Sequence, residues 1–167
     1  MKPLLVFLAF THFAFALETV NVKKSVIINQ SIEKVCAFVS NPMNDHLWRS
    51  EVNEMSIEGG ELMEGAVIVE DAWIGLQRNF ITKTEVIRLD CPYDALFITT
   101  KDNPFYLQSH RIFEALDENR TKFTYDVEFD VRMISETLGL NINPQLVARG
   151  YGFKMWSYLQ KLRQVIK

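Results

Sequence analysis

Few side chains in this sequence have both the type and the spacing to do chemistry. His110 and Arg111 stand side by side in a run that alternates like a strand, so only one of them faces inward. An inward His110 is the best general acid or base on offer, with Arg78 and Tyr125 as further proton handlers. No nucleophile accompanies these three catalytic candidates: the chain has no G-x-S-x-G, no supported Cys–His pair and no His-x-x-x-His. A lone His is more often solvated or satisfied than catalytic. Two cysteines occur, Cys36 and Cys91. Cys36 falls on the stripe Ile32, Val35, Cys36, Val39, which points to a core. Cys91 sits in the turn Asp90-Cys91-Pro92. In an exported protein a bridge is open to them, but the expectation is a buried thiol and a separate turn thiol. Two cysteines cannot complete a zinc site, and His12, His46 and His110 show no ligand spacing with them. No metal or cofactor is expected.

Composition bounds the partners. The 167 residues suffice for one domain with its own core. At 48% hydrophobic and 23% charged, the chain folds rather than staying disordered. A net charge of −3 without a basic block argues against nucleic acid and against anionic membrane as partners. Lys2 followed by the apolar run from Pro3 to Ala16, ending in Ala14-Phe15-Ala16, reads as an export signal cut before Leu17. That run is shorter than the roughly 20 residues of a spanning helix. The expectation is a signal over 1–16, a single domain over 17–167, a periplasmic or secreted location, and no stable membrane insertion after cleavage. Asn29-Gln30-Ser31 and Asn119-Arg120-Thr121 fit the glycosylation acceptor pattern, the first overlapping a helix cap.

The elements that would position these residues are mostly strands. Val20 to Asn29 is β-rich. Ser31 is a helix-cap residue with Glu33 in the first turn, and Pro42 stops that short helix. Residues 43–48 form a turn or a short second helix. Strands follow over 51–58, over 66–74 after Gly65, over 77–89, 95–101 and 105–116, separated by turn chemistry at Gly59-Gly60, Gly75, Pro92 and Pro104. From Lys122 to Arg132, Phe123, Tyr125, Val127, Phe129 and Val131 alternate with polar residues, the pattern of a strand wet on one side. Asn143 and Pro144 then open a helix whose apolar face carries Val147, Tyr151, Met155, Tyr158, Leu159, Leu162 and Ile166. The fold class is α+β: a curved antiparallel sheet of about seven strands with a long C-terminal helix across its concave side.

The ordered set VNVKKSVIINQ, SIEKVCAFVSN with Trp48 after it, Gly65 before a strand, KTEVIRLDCPYDALFIT, KFTYDVEFDV and the closing YLQKLRQVI resembles the SRPBCC superfamily. This helix-grip group includes START lipid-transfer domains, aromatic polyketide cyclases and birch-allergen-type binding proteins. The resemblance spans about residues 20–166. Asn41 stands where the family usually has Asp, and Arg120-Thr121 where it usually has Gly-Thr. The resemblance implies a deep pocket between sheet and terminal helix for a hydrophobic small molecule or lipid. It leaves a cyclase or dehydratase, or a structural domain with a filled core, as alternatives. A pocket of at least ~300 Å³, scaled at about 24 cal/mol per Å³, costs around 7 kcal/mol if left empty. The chain carries twelve Phe, five Tyr and three Trp, some of them in the expected signal, and such aromatics could fill it.

The expected ligand-binding residues are Trp48, Val69, Asp71, Trp73, Phe80, Arg111, Phe113, Tyr125, Phe129, Tyr151 and Met155. Trp48 either roofs the mouth or packs the short helix onto the sheet. Trp73 faces the lumen with Val67, Val69 and Asp71 on one register, where Asp71 needs Arg78 or Arg111 as partner; on the other register Asp71 is in water. Gly150 and Gly152, each costing roughly 1 kcal/mol in a helix, mark either a close approach or a loose entrance.

Overall fold

The computed structural model describes residues 18–167, so the expected export segment lies outside the described residues. Seven antiparallel strands run in the order β1 (Thr19–Ile28), β7 (Arg120–Asp130), β6 (Leu107–Asp117), β5 (Asp94–Thr99), β4 (Gln77–Asp90), β3 (Val67–Ile74) and β2 (Val52–Ile57). The first strand thus closes onto the last, and the rest form a meander. Between β1 and β2 lie α1 (Ile32–Val39) and a 3-10 helix (Pro42–Leu47); after β7 come α2 (Arg132–Leu138) and α3 (Pro144–Val165). This is the curved sheet with a long terminal helix that the sequence predicts.

The alternation in β7 sets the inside. Phe123, Tyr125, Val127 and Phe129 are buried in one cluster with Val22 and Val26 of β1 and with Val35, Cys36 and Val39 of α1. Asp126 and Glu128 point to the other face, where Asp126 meets Lys23 and Glu128 meets Thr19. α3 lies along β1, burying Val147, Met155, Tyr158, Leu159 and Leu162 in the same cluster. Its cap forms as its sequence predicts: the Asn143 side chain accepts from the Gln145 N–H at 2.8 Å, with Pro144 next. Ser31 takes the extended N-cap conformation of α1, but its side chain makes no cap hydrogen bond.

Two features depart from the sequence reading. α2 is one, a two-turn helix directly after β7 that the sequence left as connection. It ends at Gly139 in the left-handed region, φ 69°. Met133 and Thr137 are its buried residues. The β3–β4 turn docks on it: Leu76 N–H donates to Thr137 O at 3.2 Å. Gly75 has φ 59°, and a Cβ there would stand 2.6 Å from the Thr137 hydroxyl oxygen. Only glycine permits that approach. The second correction is covalent. Cys36 and Cys91 form a disulfide, with Cα atoms 5.8 Å apart. The turn thiol is not separate, because the β4–β5 turn folds back onto the face of α1 that carries Cys36. The Ser40 hydroxyl lies 3.2 and 3.4 Å from the two sulfurs.

Candidate functional site

A polar segment does the unexpected work. After α1, Asn41 accepts from the Met43 N–H at 3.1 Å, and Pro42 starts the 3-10 helix. That turn carries Asp45, fully buried, beneath the sheet. Arg111 of β6 reaches it from the sheet side: its Nη1 donates to Asp45 Oδ1 at 3.0 Å and its Nη2 to Oδ2 at 2.6 Å, and Nη1 also donates to Val39 O. The guanidinium lies over the ring of Phe97 at 4.8 Å, with Trp48 and Tyr125 flanking it at 5.9 and 6.0 Å. Asp45 also accepts from Arg49 Nη1 at 3.0 Å.

Arg49 is the hub. Its Nε donates to Glu51 at 3.0 Å, and its Nη1 and Nη2 make a two-pronged contact with Glu70 of β3, both at 2.8 Å. Burial works against its charge, but the acids around it, Glu70 foremost, outweigh that and hold its pKa well above the usual arginine value. Three carboxylates against two guanidiniums leave a formal charge of −1 in this buried network. Glu51 Oε2 and the Tyr158 hydroxyl are buried without a hydrogen-bond partner. Burial, with Glu51 beside it, pushes the Tyr158 hydroxyl far up from its ordinary pKa. Burial raises Tyr125 and Tyr151 as well. All three are therefore neutral hydroxyls at neutral pH, able to donate or accept but not to serve as phenolate bases.

This network floors a cavity of about 330 Å³. Its walls come from the sheet (Leu107, Val127, Phe129), α2 (Met133, Ile134, Leu138), Ile142, and α3 (Leu146, Val147, Gly150, Tyr151). Arg49, Glu51 and Glu70 are the polar residues at its deep end, and exposed Trp73, Gly75, Leu146, Gly150 and Lys154 border its mouth. A second chamber of about 40 Å³ lies beyond, sharing Arg49, Glu70 and Tyr151 with the first. Ser109, Arg111 and Tyr125 line it, and Ser109 Oγ and Arg111 Nε are unpartnered there.

The predicted residues divide accordingly. Trp73, Phe129 and Tyr151 border the main cavity; Arg111 and Tyr125 line the inner chamber. Trp48 does not roof the mouth. It is fully buried, edge-on to Phe123 and Tyr125 at 6.2 and 5.4 Å, and packs the 3-10 helix onto the sheet. Phe80 stacks on Phe105, Phe113 stacks on Phe123, and Met155 is sealed in the core, all away from the cavity lining. The β3 register is the reverse of the one that brings Val69 and Asp71 inward. Ile68 and Ala72 are buried and Glu70 meets Arg49, while Asp71 faces out and accepts from Asn53 and Asn79. Neither Arg78 nor Arg111 partners it. Trp73 reaches the mouth because a register shift between Ala72 and Ile74 breaks the alternation.

The catalytic candidates are dispersed. His110 lies on the outer face, its Nε2 2.8 Å from Asp94, which also pairs with Arg88. Arg78 is exposed over the Trp73 ring at 5.3 Å. Only Tyr125 is inside, in the chamber that Ser109, Arg111 and Glu70 also line. Sequence reasoning missed Asp45, Arg49, Glu51 and Glu70 altogether. Their signal was present as an acid-base alternation around Trp48, but it resembled a solvated turn.

No family model matches the sequence, and no curated protein matches it. Solved structures do. A START superfamily protein from Mycobacterium smegmatis superposes with a TM-score of 0.68 at 16% identity, covering 87% of this chain and 96% of that one. The Zhui aromatase/cyclase from Streptomyces sp. R1128 gives 0.64 at 11% identity, covering 88% and 93%. Ginseng major latex-like protein 151 from Panax ginseng gives 0.63 at 12% identity, covering 90% and 99%. The chain shares the helix-grip fold of these structures.

Proposed function

We propose that this protein binds a hydrophobic small molecule or lipid in the cavity beneath α3, as a carrier or sensor. The cavity itself carries the reading. A space of about 330 Å³ that opens at a mouth, walled by aliphatic and aromatic side chains with a few polar groups at one end, has the form of a ligand site. The fold shared with a START superfamily protein supports the same reading. The filled-core alternative has no account of the volume. The cyclase alternative has the same kind of support from the fold shared with the aromatase/cyclase, but His110 and Arg78 stand outside the cavity.

Export to the periplasm or beyond is part of the proposal, with residues 17–167 as the mature domain. The disulfide fits an oxidising compartment, and no helix among the described residues is long and apolar enough to cross a membrane. Native mass spectrometry of protein purified from its own host tests both parts. A mass lacking residues 1–16, with an apolar molecule released on activation, is expected. An intact N-terminus overturns export, and a ligand-free protein that takes up no added amphiphile overturns the carrier.

A further inference from the structure

The cavity has one chemically distinctive end. We propose that it selects an amphiphile ending in a primary ammonium, with the head against Glu70 and Glu51 and the chain along α2 and α3. This rests on reading the cavity as a ligand site.

The floor offers acceptors rather than donors. Arg49 spends four of its five N–H groups on acids: its Nε serves Glu51, Nη1 serves Asp45 and Glu70, and Nη2 serves Glu70. Arg111 gives Nη1 and Nη2 to Asp45 and Val39 O, and its unpartnered Nε lies behind the floor, on the inner chamber and outside the main cavity lining. A carboxylate ligand in the main cavity would therefore find no free guanidinium fork there. The acids are not saturated. A carboxylate has about four acceptor sites; each Glu70 oxygen takes one donor and Glu51 takes one from Arg49 at Oε1, so Glu70 on the cavity wall keeps open sites. Glu51 is buried and borders the cavity.

Charge points the same way. The network holds Asp45, Glu51 and Glu70 against Arg49 and Arg111, a formal −1 with no cation left over. An alkyl end pressed on this floor would leave the open acceptor sites of Glu70 unpaired. A hydroxyl head would pair one oxygen and leave the charge. An ammonium supplies three donors and the missing positive charge together. The remaining charged group bordering the cavity is Lys154 at the mouth, its ammonium 5.9 Å from the Tyr158 ring. It is exposed and screened, and it disfavours a cationic head resting at the mouth, so head-inward binding is the orientation left.

The test compares three probes of one chain length, decylammonium, decanol and decanoate. Each displaces an apolar fluorophore from the purified, disulfide-intact protein at neutral pH. Decylammonium should bind at least tenfold tighter than decanol, and decanoate weaker than both. Equal affinities, or decanoate binding tightest, overturn the ammonium preference while leaving the ligand site standing. If none of the three competes, the ligand site falls as well. Glu70→Gln should shrink the decylammonium-to-decanol affinity ratio at least fivefold, and Glu51→Gln does the same duty if the first variant does not fold. A ratio unchanged in a folded variant of each also overturns the proposal.

Discussion

Replacing Arg49 with methionine removes the one cation shared by three acids. Its side chain is 9% exposed, and those of its partners Asp45, Glu51 and Glu70 are 0%, 5% and 17% exposed. Methionine keeps much of the side-chain length, so packing loss is small and the electrostatic change dominates. Breaking a buried pair from one side costs roughly 3–5 kcal/mol, because the partner charges stay behind without compensation. Asp45 keeps Arg111, but Glu51 and Glu70 lose their only ionic partner. For a chain of about 150 residues, each kcal/mol moves the melting temperature by roughly 2–4 °C. Arg49→Met should therefore melt about 6–20 °C below the wild type, read by circular dichroism with the disulfide intact. Arg88→Met is the control. It removes the outer pair with Asp94, where Arg88 is 45% exposed, and exposed pairs contribute about 0–1 kcal/mol. Adding Glu70→Gln to Arg49→Met should recover part of the loss, giving a coupling within the roughly 0.5–3 kcal/mol seen for residues in contact. A melting point for Arg49→Met within 2 °C of wild type, or no lower than that of Arg88→Met, would refute the reasoning.

Three further outcomes follow from the geometry. The Cys36–Cys91 bridge closes a loop of 55 residues, for which the chain-entropy model gives about 4 kcal/mol. Reduction, or Cys36→Ser with Cys91→Ser, should lower urea stability by about 2–4 kcal/mol, and unreduced protein should take up no alkylating reagent. At Gly150 a Cβ meets nothing within 4 Å, so Gly150→Ala should raise stability by up to about 1 kcal/mol. Gly150→Phe should fold but lose apolar ligand, since this position borders the cavity; unaltered uptake would count against entry at this mouth. Asp94 is held below the usual 3.8, chiefly by its hydrogen bond from Arg88. Its contribution is fully present above the unfolded value and is lost as pH falls through the folded one. In urea titrations the gap between wild type and Asp94→Asn should thus close between pH 5 and pH 2, and a gap that widens there would contradict the assignment.

The fold was legible because its signals are local. β7 alternates over its whole length, α3 repeats at helical spacing behind an Asn-Pro start, and glycines and prolines punctuate the turns. The site was less legible because its parts meet only in three dimensions. In VIVEDAWI both faces carry apolar residues, so period two alone cannot say which face is buried. The outcome is decided by Arg49, 21 positions from Glu70 in sequence. The Asp45-to-Glu51 stretch reads as a solvated turn until Arg111, 66 positions away, is seen to hold Asp45 beneath the sheet. Cys91 has no local feature that shows it meeting Cys36. α2 is too short for periodicity to separate it from a loop, and its identity rests on the glycine turn docked against it.

The central claim is an apolar ligand site beneath α3, and a homologous series of n-alkanols titrated into the protein calorimetrically tests it most directly. Each added CH₂ that enters the cavity should deepen binding by about 0.8 kcal/mol, roughly fourfold in affinity, until the space is full, after which the gain stops. Binding should carry a negative heat-capacity change and vanish in folded Gly150→Phe. Affinity that ignores chain length, or persists when the mouth is plugged, would contradict the account.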